Sequence, residues 1–253
     1  MSQFPLIIPD VSSRKPVTFT RVSQYESTAI QTRSRAPKKH NFTYKYSNLF
    51  SRQYRIIDNF FGSMLGRATH FDLVHWGDPK QIKSISTVYV VLDDVSGLST
   101  LTSRAGNKVL IWNGLDGDYG VGIGGTNLWT DTNKSWGTNQ WANYILVDFL
   151  GNEFTIASNT ATTLTVTGYP ISGAYEIYRY ETRTITVIGG TTLTLNSAPT
   201  IPFRNSLLLF IVYDVFFTTD ELPLEPSGNF CPAWGPDYGP YYQGDIQFMQ
   251  NTP

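Results

Sequence analysis

The sequence predicts a mainly β protein with a single amphipathic helix, and three observations lead there. Short runs of alternating or β-branched apolar residues recur along most of the chain. Turns rich in Gly, Asn, Asp and Pro separate them. Only the stretch from Leu49 to Leu65 repeats its apolar residues at spacings of three and four, giving one wide stripe. At 253 residues, the chain can build one large β domain or two smaller ones.

Residues 1–16 contain Pro5, Pro9 and Pro16 and read as an extended lead-in. VTFTRV (Val17–Val22) alternates as a strand. Residues 23–40 are polar and end in a basic cluster, Arg33, Arg35, Lys38, Lys39 and His40, which suits an exposed loop or β-arm. NFTYKY then sets Phe42, Tyr44 and Tyr46 on one strand face.

The helix at about 49–65 has Ser47, Asn48 or Ser51 to cap its start. Gly66 stands where a left-handed C-terminal glycine belongs. Thr69–Val74 resumes as a strand, STVYVVL (86–92) is another, and KVLIW (108–112) a third.

NGLDGDYGVGIGG reads as a flexible connection, and residues 126–180 as a compact β module with strands near 144–149, 153–158, 163–166 and 175–178. Strands 182–187, 191–195 and 207–217 follow, the first two joined at Gly189-Gly190. Residues 223–253, crowded with Pro, Gly and aromatics, read as an extended arm outside any regular core.

Composition bounds the partners. Aromatics make up 14% and charged residues 15%, which suits β-structure partly covered by other subunits and equally a Thr-rich sandwich open to water. The net charge of −1 hides a division. Residues 1–83 carry thirteen Lys/Arg against five Asp/Glu, and residues 84–253 six against fifteen. Such separation can orient head-to-tail association or turn a basic face toward nucleic acid. The basic run lacks interleaved aromatics and a recognition helix, so nucleic acid is not expected as a partner.

Cys231 stands alone, so no intramolecular disulfide and no Cys-based zinc site can form. The first residues lack a basic region and a cleavage site, and the longest apolar run, Leu207–Val212, is too short to span a bilayer. Synthesis in the cytoplasm without export, and no membrane partner, are expected.

No catalytic pattern survives inspection. Gly120, Gly122 and Gly125 match GxGxxG but precede no helix pattern. Asp116 and Asp118 lack the glycine and glutamate of a calcium loop. His70 and His75 fall on opposite faces of a strand. No nucleophile elbow occurs, so neither enzymatic activity nor a cofactor or metal is expected. Trp129, Trp136 and Trp141 could stack on a glycan or, more in keeping with tryptophan's usual burial, fill the core of the module.

Two separated stretches resemble one family. Phe60, Phe61, Gly66, Arg67, Phe71, Trp76 and Asp78 are similar to the helix–strand pattern near the N-terminus of distal tail proteins of tailed bacteriophages and gene transfer agents. YDVFFTTDEL (213–222) resembles that family's closing strand, and it follows LTLNSAP ending at Pro199, where the family places a strand and an Ala-Pro. The resemblance implies a β-barrel or sandwich with one packed helix and 126–180 as an inserted module. On that reading, 1–125 is the N-terminal part of the ring domain, 181–222 its closing strands and 223–253 the arm.

It further implies a structural virion protein without catalytic function, assembled as a homo-oligomeric ring, usually a hexamer, in the tail. Tail tube protein, tail hub protein and fibre or receptor-binding proteins would be its partners. Arg33, Arg35, Lys38, Lys39, Tyr238, Tyr241 and Tyr242 are the interface candidates. The alternative is a tail-tip adaptor whose three module tryptophans contact host-surface carbohydrate.

Overall fold

A computed structural model describes residues 3–17, 20–24, 30–34, 39–65, 68–101, 106–113, 117–231 and 239–251. It is mainly β. The chain begins with β1 (Val11–Val17), the paired strands β2 (Thr20–Gln24) and β3 (Ile30–Ser34), then β4 (Lys39–Leu49), which leads into helix α1 (Ser51–Ser63). After β5 (Phe71–Val74) come β6 (Lys80–Ser86), β7 (Tyr89–Leu92) and β8 (Lys108–Trp112). Next are β9 (Asp118–Gly125), β10 (Leu128–Thr130), β11 (Ile145–Val147), β12 (Glu153–Asn159), β13 (Thr163–Val166) and β14 (Gly173–Tyr178). The chain returns through β15 (Tyr180–Gly189), β16 (Thr192–Leu195), β17 (Leu208–Phe217), β18 (Leu224–Cys231) and β19 (Gly239–Gln250).

β17 joins two bodies. Its first half lies between β8 and β6, and the pairing β6–β7–β16–β15–β8 returns to β17 as a closed circuit. Ile82, Val90, Ile111, Leu193 and Leu209 fill that circuit. Its second half lies between β5 and β19 in a sheet running β1–β4–β19–β17–β5, with β18 on the edge of β19.

Both faces of β17 are covered, which is why LLFIVYDVFF is apolar almost without a break rather than alternating. Inserted between β8 and β15, the third body is a closed six-stranded barrel, β10–β13–β12–β11–β14–β9.

The helix packs its stripe on the second sheet. Ile57 is fully buried, and the Phe60 ring meets Phe4 at 5.5 Å and Phe71 at 5.1 Å, both edge-on. From below, Phe42, Tyr44 and Tyr46 project into the same core from alternate positions of β4.

None of the expected caps is used: Phe50 holds the cap position, and its N–H donates to Gln53 Oε1 at 3.1 Å. Ser51 instead donates to the Pro240 carbonyl at 2.8 Å. The left-handed residue at the helix end is Leu65, with φ of 52°. Gly66 and Arg67 lie outside the described residues.

Four expectations are corrected. The lead-in is structured: Phe4 is buried, and β1 pairs with β4 from Val11↔Lys45 to Val17↔Lys39. Pro16 is tolerated because β1 is an edge strand, where a missing N–H costs no ladder bond. The run 86–92 is split by a turn with Thr87 at φ 51°, and the preceding KQIKSIS is itself a strand. Its lysines disguised it, yet Lys80 is buried and donates to Asp78 at 2.9 Å, Asp94 at 2.5 Å and Ser96 at 3.0 Å.

The glycine-rich connection is strand β9. The C-terminal arm is also regular, since β19 is inserted between β4 and β17 with Ile246 and Phe248 buried. Gly244 takes a φ of 151°, letting the strand kink where its register with β4 shifts, between Tyr242 and Gly244.

His75 gives this body a pH dependence. Its Nδ1 is 3.3 Å from Ser12 Oγ, and burial, aided by the Arg14 guanidinium, pulls its pKa down to about 4 from 6.5. The folded chain keeps the ring neutral where the unfolded chain takes up a proton. Stability is therefore expected to hold above pH 6.5 and to fall by about 3 kcal/mol as the pH drops toward 4. Urea unfolding across that range should show the step, and His75→Gln should remove it; parallel profiles for the two chains would refute the assignment.

Candidate functional site

The barrel is built outward from its tryptophans. Trp129, Trp136 and Trp141 are 0%, 7% and 5% exposed and pack with Tyr144 and Tyr175, so none offers a ring face to a glycan. Trp136 Nε1 donates to Asp118 Oδ2 at 2.6 Å, and Tyr175 donates its hydroxyl to Asp131 Oδ2 at 2.8 Å.

This filling explains two glycines of the GxGxxG match, Gly120 and Gly122, and not the third, Gly125. A Cβ on Gly122 would stand 2.6 Å from Trp129 Nε1, and one on Gly120 2.7 Å from Asp131 Oδ2. The glycines make room for indole and phenol. Burial pushes the Asp118 carboxyl up, but bonds from Lys134, at 2.7 Å, and Trp136 outweigh it and hold it below the usual carboxylate range.

Where the barrel meets the helix there is a cleft of about 800 Å³. Residues 3–8 and the first half of α1 form one wall, and the outer face of β9, β12 and β14 the other. Val147 pairs with Glu153 on one side and Glu176 on the other. The two carboxylates thus flank it on neighbouring strands, roughly 10 Å apart at the backbone.

Arg52 Nη2 reaches Glu176 Oε1 at 3.0 Å. Glu153 accepts the hydroxyls of Tyr178 at 3.3 Å and Tyr180 at 2.9 Å. Burial first, and the Glu153 charge second, raise both phenols, which therefore remain O–H donors at neutral pH. Gly151 touches the helix here, with no room for a Cβ against Ile56. The site can hold cations or hydrogen-bond donors beside aromatic rings. Among the described residues no three His, Cys, Asp or Glu side chains gather as a metal site.

The interface candidates are scattered. Arg33 lies in β3, while Arg35, Lys38 and Tyr238 fall outside the described residues, as does Asp116. Lys39 donates to the Asn251 carbonyl at 2.7 Å. Tyr242 stacks on Tyr54 at 3.8 Å and Tyr241 meets Phe50 at 5.4 Å, so both brace the helix from within one subunit. The histidines separate as expected, with His40 on Gln250, His70 on Asp214 and His75 on Ser12.

Glu153, Glu176, Tyr178 and Tyr180 were not singled out by sequence reasoning. Strand alternation marks them as outward-facing, but what they face is set by distant chain. No family model matches the chain, and no curated protein matches it at a significant level. Among the described residues no helix is long and apolar enough to cross a membrane.

Proposed function

We propose that the chain is a structural virion protein, a subunit of the distal tail or baseplate ring of a phage tail. In this role it joins tail tube to hub and anchors fibre or receptor-binding proteins. One observation carries the reading. The two stretches that resemble the family, some 140 residues apart in sequence, interlock into a single core. β17 pairs with β5 from Val212↔Val74 to Val215↔Phe71, and Phe217 packs against Phe61 and Phe71, each at 4.7 Å.

The division of charge between the two parts of the chain also supports contacts from copy to copy. The adaptor alternative is weakened, because the tryptophans assigned to carbohydrate are enclosed. Native mass measurement and electron microscopy of the purified chain test the proposal. A closed ring, of six subunits by the family resemblance, is expected; a chain that stays monomeric at high concentration overturns it.

A further inference from the structure

His75 is shut beneath an edge strand. It follows β5 directly, is 5% exposed, and stands edge-on to the Phe42 ring of β4 at 5.7 Å and the Tyr213 ring of β17 at 6.1 Å. The turn after it presses on the ring as well, since a Cβ on Gly77 would come within 3.0 Å of His75 Cε1. β1 covers it too. Ser12 Oγ is 3.3 Å from Nδ1, and Arg14 donates to the Tyr213 hydroxyl with its guanidinium carbon 5.9 Å from that ring's centre. Of the strands around His75, β4 and β17 each have neighbours on both sides, whereas β1 pairs with β4 alone.

β1 is also the least anchored of them. The side chains it turns toward the body, Ser12 and Arg14, are polar, while Val11 and Lys15 are exposed. In the described ladders the next strands, β2 and β3, pair only with each other and do not tie it down.

A proton on the enclosed imidazole would sit among cations. Arg14 faces it from β1, His40 from β4 and Lys80 from the start of β6, and Tyr213 offers from β17 a phenol that burial keeps protonated. Among the described residues the carboxylate that favours the charged ring is Asp78, which already accepts Lys80 at 2.9 Å. Burial first, and these cations second, hold the ring neutral down to about pH 4, whereas an uncovered ring would take its proton near 6.5. Each pH unit lost between those values therefore favours an uncovered His75 by up to ~10-fold.

We propose that β1 is an acid-released strap: protonation of His75 drives it off β4 and leaves residues 39–45 as an open sheet edge, while the rest of the sheet stays paired. The release belongs to a single subunit and is independent of ring formation.

Hydrogen–deuterium exchange of the full-length chain between pH 7 and 4, corrected for the intrinsic exchange rate, tests it. Residues 11–17 are expected to lose protection by up to ~10-fold per pH unit below 6.5, while residues 212–217 of β17 keep theirs. His75→Gln should leave the protection of residues 11–17 level across the range. A wild-type β1 whose protection ignores pH would overturn the strap. So would β1 and β17 losing protection together, because the whole body would then be unfolding. The wild-type comparison decides by itself if the glutamine variant folds poorly, and a pH slope that survives in a folded variant would remove His75 as the trigger.

Discussion

Replacing Phe217 with alanine is expected to remove about 3–5 kcal/mol of unfolding free energy, the range for deleting a buried aromatic ring. Its ring is fully enclosed, with Phe61 and Phe71 at 4.7 Å and Phe248 at 5.4 Å. A domain's whole stability is commonly 5–15 kcal/mol, so the variant should lose a large fraction of its resistance to urea. A further reading comes from pairing it with Phe61→Ala. Because these rings touch, the two losses should fail to add, by about 0.5–1.5 kcal/mol. A loss below about 1 kcal/mol for Phe217→Ala alone would mean that the packing described for β17 and α1 is wrong.

The second large effect is expected in the barrel. Gly122→Ala should cost about 3 kcal/mol, at the upper end for overpacking. Its new methyl would meet Trp129 Nε1 and the Thr130 carbonyl, each at 2.6 Å, and one of these is backbone that cannot step aside. Gly125→Ala is the internal control, since its nearest neighbour would be the Leu128 carbonyl at 3.9 Å. Hydrogen exchange over residues 118–178 should separate the pair, with fast exchange in the first and near-normal protection in the second. Equal behaviour would remove the claim that β9 is glycine-rich because the barrel is full.

These two sites mark where sequence reasoning reached and where it stopped. β4, β8, β13 and the helix were legible because their periodicity is local and their apolar residues meet one core. β9 and β19 were not. Glycine and proline ordinarily report turns, and in both strands they serve another purpose, room for indole rings in one and a kink in the other. Lys80 hid β6 in the same way, since a buried lysine is seldom expected without knowledge of its three partners. The cleft was illegible for a different reason: Arg52, Glu153 and Glu176 come from three separate elements, and no spacing in the chain announces that they meet.

The position of β19 has a consequence for how the protein is made. Among the described strands β4 comes early, and β19, its partner, comes last. While the ribosome is still working, Phe42 and Tyr44 have no β19 to lie against, and β17 has only its β8, β6 and β5 neighbours. The barrel of β9–β14 pairs only within itself and can close as soon as its strands have emerged. Synthesis should therefore yield a finished barrel tethered to an open sheet, whose apolar face is covered only once β19 has emerged. Truncation before residue 239 is expected to leave a soluble barrel signature attached to an aggregating remainder, detectable by limited proteolysis as a resistant fragment of about residues 117–179.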